Sequence, residues 1–488
     1  MRKAIVLLLF LSLTALYGQS GALLKTSYHL GSEPNPFADR LYGNGIVDIV
    51  TADSLVWTAS GYGLSQGVYH ACDGSVSWRS LNSDDYLSKG GVSAMAYMND
   101  STFWIATAFD TLVRADELPA GGGLSYTQDG GQTWKHVPQP VDSRDIVDYS
   151  PTTTVIQNLI YDIAFIDSSI WIASFGGGLR RSNDMGQNWD VVTTDGKPFT
   201  SLGNLNHRVF SLLSVGDTLW VGTAAGISKS TDNGESWERF KFSAADSATI
   251  SGNFVVALAY QPATETIWAA TIEASADSER RAVSISKDWG KSWQRLLTKE
   301  GLFTHNFAFH GDTAFLATDQ GLYYKSASET DWQVITALQD YQSGEEILQK
   351  EYYSAAVQQQ GGQSLLWLGS SDGLAMTPLN EGAFNWRIFR SYMPVSARPE
   401  PAIYAYPSPF SPSRHLYIRF EYGDGNILNE AIKIYDFAMN PVASIPIGDL
   451  KPKWDGKNSA GDGVASGVYF YRAKVNGKVT WGKFVVIN

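Results

Sequence analysis

The chain has 488 residues, enough for roughly two to four domains at the usual ~100–200 residues each. Its 49 Asp and Glu against 37 Lys and Arg give a net charge of −12, which excludes a broad electrostatic attraction to nucleic acid. With 46 Gly, 16 Trp, 18% charged residues and one cysteine, Cys72, the composition suits short strands and tight turns and excludes disorder, coiled coil and a disulfide framework.

Arg2 and Lys3 precede an apolar run from Ala4 to Leu16, and small residues follow at Gly18 and Ser20. Residues 1–20 therefore read as a secretory signal peptide, since the run is shorter than the ~20 apolar residues of a spanning helix. No lipoprotein cysteine follows it, and no transmembrane segment is expected after signal cleavage.

From Gly45 onward one strand recurs: SLVWTAS at Trp57, TFWIATA at Trp104, SIWIASF at Trp171, TLWVGTA at Trp220, TIWAATI at Trp268, TAFLATD at Phe315 and LLWLGSS at Trp367. A fixed period near ~40–50 residues is the signature of a propeller blade of four strands. Each unit places an apolar strand A before this strand B, then a third strand C and a fourth strand D that opens on another Trp. The expected fold is all-β: a seven-bladed β-propeller over residues 21–393, with blades near 45–84, 91–138, 158–194, 207–242, 253–298, 303–337 and 351–391. Leu24–Leu30 is a candidate extra strand for the last blade.

The turn between strands C and D carries Ser/Thr-x-Asp-x-Gly-x-x-Trp four times: Thr127, Asp129, Gly131, Trp134; Ser182, Asp184, Gly186, Trp189; Ser230, Asp232, Gly234, Trp237; Ser286, Asp288, Gly290, Trp293. This resembles the Asp-box, or bacterial neuraminidase repeat. Hydroxyl and carboxylate accept turn N–H groups, Gly permits positive φ, and Trp packs between neighbouring sheets, so these residues are expected to be structural.

Strand A has a column of small or short residues, assigned as Asp48, Ala94, Asp162, Ser211, Ala257, Ala308 and Ser354. Asp48 and Asp162 carry charge towards the axis, either as solvated polar lining or as weak candidates for cation binding or acid–base work. The long insertions, Phe109–Gly121, Ile272–Arg281, Val137–Val155, Val192–Asn206 and Leu338–Glu351, all fall in B–C or D–A connections and hence on one face. That face is the candidate partner site, with Arg114, Asp116, Glu117, Arg144, Asp145, Asp148, Tyr149, Glu279, Arg280 and Arg281 as its candidate residues.

Pro394 opens a proline-rich boundary, so 394–403 reads as a linker and 404–488 as a small Ig-like β-sandwich. Tyr406-Pro407-x-Pro409-Phe410, Ile434-Tyr435-Asp436, Trp454-Asp455-Gly456 and Ala465-Ser466-Gly467-Val468-Tyr469 resemble the C-terminal sorting domain of type IX secretion cargo, itself similar to the immunoglobulin-like domain of flagellar hook-capping proteins. The resemblance implies export via the periplasm, a secreted or outer-surface location, and secretion machinery as a partner of this domain.

The propeller as a whole is similar to sialidases, xyloglucan-cleaving glycosidases, sortilin-like receptors, the photosystem II assembly factor and two-component-regulator propellers, among which fold alone does not choose. The sialidase Arg-Ile-Pro motif is absent, as are HExxH, GxSxG and Walker motifs and any Cys/His cluster with zinc spacing. No catalytic residue, cofactor or metal is expected. The reading is a binding or scaffold propeller for a protein or glycan ligand, with a glycan-active hydrolase and an extracytoplasmic assembly factor as alternatives.

Overall fold

The computed structural model describes residues 40–86, 88–114, 116–274, 278–380, 383–391, 403–422, 427–448 and 452–488. The signal segment 1–20, the candidate strand Leu24–Leu30 and linker residues 394–402 lie outside them. Two compact units are formed, one of residues 40–345 with 351–391, the other of Glu346–Lys350 with 403–488. Glu346–Lys350 is thus a correction to the expected boundary, because Leu416 N donates to Leu348 O at 2.8 Å and Lys350 N to Arg414 O at 2.9 Å within the second unit.

The first unit is built from four-stranded antiparallel sheets in which sequence order equals spatial order. Sheet 1 comprises Ile46–Ala52, Leu55–Ser60, Gly63–His70 and Ser75–Leu81. Sheets 2 to 7 begin at Gly91, Ile160, Val209, Phe254, Thr304 and Tyr352. Sheets 1 to 6 each share a core with the next, Ala355 N of sheet 7 donates to Asn306 Oδ1 of sheet 6 at 3.2 Å, and Ile46, Ile49 and Val56 of sheet 1 share one core with Leu365 and Trp367 of sheet 7. The succession therefore returns to its start, with sheet 7 complete from four strands of its own.

The outer ends of the sheets are tied by the recurrent turns. In the second sheet Thr127 Oγ1 accepts from Gly131 N (2.9 Å), Asp129 accepts from Thr133 N (2.9 Å), and Trp134 Nε1 donates to Gly131 O (3.2 Å). The turns at Ser182, Ser230 and Ser286 repeat the hydroxyl and carboxylate bonds. Donors converging on Asp129 and Asp232, foremost the Thr133 and Ser236 hydroxyls, hold both carboxyls down at about 2. Trp134 meets Trp57 of the preceding sheet edge-on at 6.4 Å, and Trp237 meets Trp171 in the same way. Gly234 sits at φ +88 with room for a Cβ only 2.5 Å from the Trp171 ring, so two separate constraints require glycine.

The second unit has a three-stranded sheet ordered 404–406, 418–421, 453–454 and a four-stranded sheet ordered 441–445, 432–435, 467–475, 478–486. Phe410, Phe420, Trp454, Tyr471 and Phe484 fill one core. Period-two alternation over Gly467–Val475 buries Tyr469, Tyr471, Ala473 and Val475 and turns Phe470, Arg472 and Lys474 outward.

Candidate binding site at the inner-strand ring

Every innermost strand of the first unit contains a β-bulge near its N-terminal end. The unpaired residues are Val47, Ser93, Tyr161, Phe210, Val256, His305 and Tyr353. A bulge re-aims a side chain and twists its strand, so one backbone device is set at seven equivalent places. Neighbours in this series touch where the side chains are large: Tyr161 and Phe210 have ring centroids 5.3 Å apart, as do His305 and Tyr353. Because strand A starts where strand B ends, this ring lies at the end of the sheets that carries the B–C and D–A connections.

The ring has two chemically different halves. On sheets 3 to 5, Phe210 packs against Phe254 at 4.5 Å and Phe175 at 6.3 Å, and the Arg208 guanidinium lies 5.1 Å from the Phe175 ring. On sheets 6 and 7, Glu351 joins His305 Nε2 (3.1 Å) to the Tyr353 hydroxyl (3.2 Å), all three side chains being partly exposed. Beside them, burial pushes the Asp319 carboxyl up although it accepts from Phe303 N at 3.0 Å. None of these groups stood out in the sequence, because the seven ring residues share backbone geometry and no side-chain type.

The residue after each bulge defines the true column, which corrects the expected member in sheet 6 from Ala308 to Asn306, opposite Ala317. Asp48 accepts from Ile49 N at 2.8 Å and from Met95 N of the next inner strand. Asp162 does the same with Ile163 N (2.8 Å) and Leu212 N (2.7 Å), and Asn306 with Ala355 N (3.2 Å). These side chains staple adjacent inner strands. Burial pushes Asp48 up to about 6 and Asp162 up to about 7, the Asp48 charge adding to the second shift.

The insertions also differ from expectation. Phe109–Gly121 is a regular extension of the sheet 2 hairpin, paired as far as Val113 opposite Asp116, with Arg114, Asp116 and Glu117 exposed around its tip. Its base is bonded to the following connection through Gln157 N to Pro119 O (2.7 Å), and that connection to the next through Ser150 N to Phe199 O (2.8 Å). Tyr149 packs edge-on against Phe199 at 6.0 Å, while Arg144, Asp145 and Asp148 are exposed. Underneath, Arg180 and Asp142 form a buried two-point ion pair at 2.8 and 3.0 Å, and His207 meets Asp195 at 2.9 Å. Glu279 is a correction: it is 1% exposed and accepts from Ala274 N (2.6 Å) and Asn253 Nδ2 (2.8 Å), so it anchors its loop. Arg280 is exposed, and Arg281 pairs with Glu273 at 3.3 Å.

Among the described residues no group of three or more His, Cys, Asp or Glu could hold a metal ion, and no helix is long and apolar enough to cross a membrane.

No family model and no curated protein matches the chain. Among solved structures it is similar to an ancestral GH74 enzyme at 15% identity and a TM-score of 0.51, over 92% of this chain and 63% of that one. Others include PorZ, a surface component of the type IX secretion system of Porphyromonas gingivalis (15% identity, TM-score 0.35, 91% and 74% covered), and YCF48 bound to D1 peptide (14%, 0.40, 70% and 93%). The chain spans under two thirds of the length of the GH74 enzyme, and the likeness places it among β-propeller folds.

Proposed function

We propose that this is an extracytoplasmic binding protein: a seven-bladed Asp-box propeller carried by an N-terminal signal and displayed through an Ig-like sorting domain of the type IX kind. The observation that carries the reading is the inner-strand ring. Seven bulges of one geometry carry side chains of five kinds at the end of the sheets that also bears the long connections, six of them partly exposed and Phe210 buried against Phe254, a rigid frame with a variable surface. Asp48 and Asp162 have their carboxylates engaged by backbone N–H groups between strands, which gives them an architectural task in place of a catalytic one.

A glycan-active hydrolase is the second reading, favoured by the Glu351–Tyr353 hydrogen bond and the raised Asp319 carboxyl beside it. Incubating the full chain with a panel of natural glycans, alongside capture of surface components from the producing cell, separates the two. The binding reading expects intact glycans and a captured component that is lost on Tyr161→Ala with Tyr353→Ala. Glycan cleavage abolished by Glu351→Gln and Asp319→Asn contradicts it.

A further inference from the structure

We infer that Glu346–Lys350 is a docking segment that holds the second unit together after proteolysis, so that a chain cut within linker residues 394–402 remains a two-chain protein and keeps its C-terminal unit. The inference goes beyond the binding reading and holds whatever the ring takes. The first ground is the path of the chain, which enters the second unit twice, once for Glu346–Lys350 and again after Ser391. A cut in the linker severs 403–488 from the rest of the chain. Glu346–Lys350 stays on the other fragment, continuous with Glu345 and Glu351 of the first unit.

The second ground is the backbone. Gln349 stands opposite His415 in an antiparallel bridge, flanked by Leu416 N donating to Leu348 O (2.8 Å) and Lys350 N donating to Arg414 O (2.9 Å). The three pairs share one register, the arrangement by which a short extended segment adds itself to an edge. The receiving edge is shaped by its own bonds: His415 N donates to Ser411 O (2.7 Å), His415 Nδ1 accepts from Ser411 N (2.8 Å), and the ring stacks on buried Phe410 at 5.8 Å. A preformed edge has little left to order when the segment docks.

The third ground is charge. Glu346 is 8% exposed, and its carboxylate gathers Lys453 Nζ at 2.5 Å, the Arg419 guanidinium at 3.5 Å and the Tyr417 hydroxyl. Burial, and after it the Glu346 charge, push the Tyr417 phenol up. Arg419 is 3% exposed, and Glu421, its other carboxylate at 3.2 Å, is partly in solvent. Departure of the segment takes a counter-charge from a buried guanidinium, which is costly.

The test uses the full chain with a site-specific protease sequence placed within 394–402. After cleavage, the fragment bearing 403–488 is expected to co-elute with the propeller fragment in size-exclusion chromatography at about 10 μM. Glu346→Lys sets a third cation beside Arg419 and Lys453 and is expected to raise the released fraction about tenfold or more. Lys350→Pro removes the N–H bonded to Arg414 O and is expected to release the fragment to a smaller degree. Glu430→Lys reverses a charge on the same unit whose partners are Arg472 and Lys474, and is expected to leave the fragment bound. Near-ultraviolet circular dichroism of the uncleaved variants is expected to match wild type. Release of the wild-type fragment on cleavage overturns the proposal, as does retention of the fragment in both the Glu346→Lys and the Lys350→Pro chains.

Discussion

The outer rim and the inner ring of the propeller unit repeat in different ways. At the rim both backbone and side chains recur: the Ser/Thr, Asp, Gly and Trp of each turn take the same bonds, and Trp134, Trp237 and Trp293 each meet the Trp of the preceding sheet at 6.4 Å. At the inner ring the bulge recurs in all seven strands while its residue changes from Val47 to Ser93, Tyr161, Phe210, Val256, His305 and Tyr353. Where geometry and chemistry repeat together the residues build the frame. Where geometry repeats and chemistry does not, the frame presents a surface.

The contrast is broken most forcefully at the rim. Trp171→Ala removes a fully buried ring from between sheets 3 and 4 and is expected to destabilise the first unit by ~3–5 kcal/mol in denaturant unfolding, with little loss of binding once folded. A loss below ~1 kcal/mol would place the rim tryptophans outside the frame. Gly234→Ala is next, at ~1–3 kcal/mol for a side chain at positive φ, and it also meets the Trp171 ring.

The staples titrate in the opposite sense to the turns. Asp48 and Asp162 hold their protons in the folded state up to about 6 and 7, so stability falls as pH rises from about 4 to about 7 and then levels off. The turn aspartates, held near 2, contribute stability above pH 4 that is lost below it. Thermal unfolding is therefore expected to be most resistant near pH 4–5. Asp48→Asn keeps an acceptor for the backbone N–H groups, as Asn306 already does in sheet 6, and removes a desolvated charge. It is expected to stabilise the first unit at pH 8 by on the order of 1–2 kcal/mol and to leave pH 4 unchanged. Loss of stability at pH 8 would mean that the charge itself holds the strands together. The smallest stability effect is expected at the ring, where Tyr161→Ala costs about 1 kcal/mol or less and acts on binding.

The rim was legible in the sequence because its tryptophans are too large and too regularly spaced to be missed, and because the turn motif has a local explanation. Six members of the strand A column were legible as well. Ala308 stands two residues beyond Asn306 on the same side of the alternation, so a column of small residues read along THNFAFH falls on the alanine, and only the pairing of Asn306 with Ala317 separates the two. The ring residues escaped because a bulge leaves no mark on side-chain type, and the Glu351–His305 pair joins positions 46 apart on different strands. Glu279 looked like an exposed loop acid in the sequence, whereas three N–H groups of its own connection and the start of sheet 5 take it inside.

The central claim is that recognition happens at the ring and the rest is frame. A photo-crosslinking phenylalanine placed at position 353, and separately at position 289 in an exposed turn at the opposite end of the sheets, tests it in extracts of the producing cell's surface. The account expects a discrete adduct from 353 and none from 289. An adduct from 289 alone, or from neither position, would contradict it.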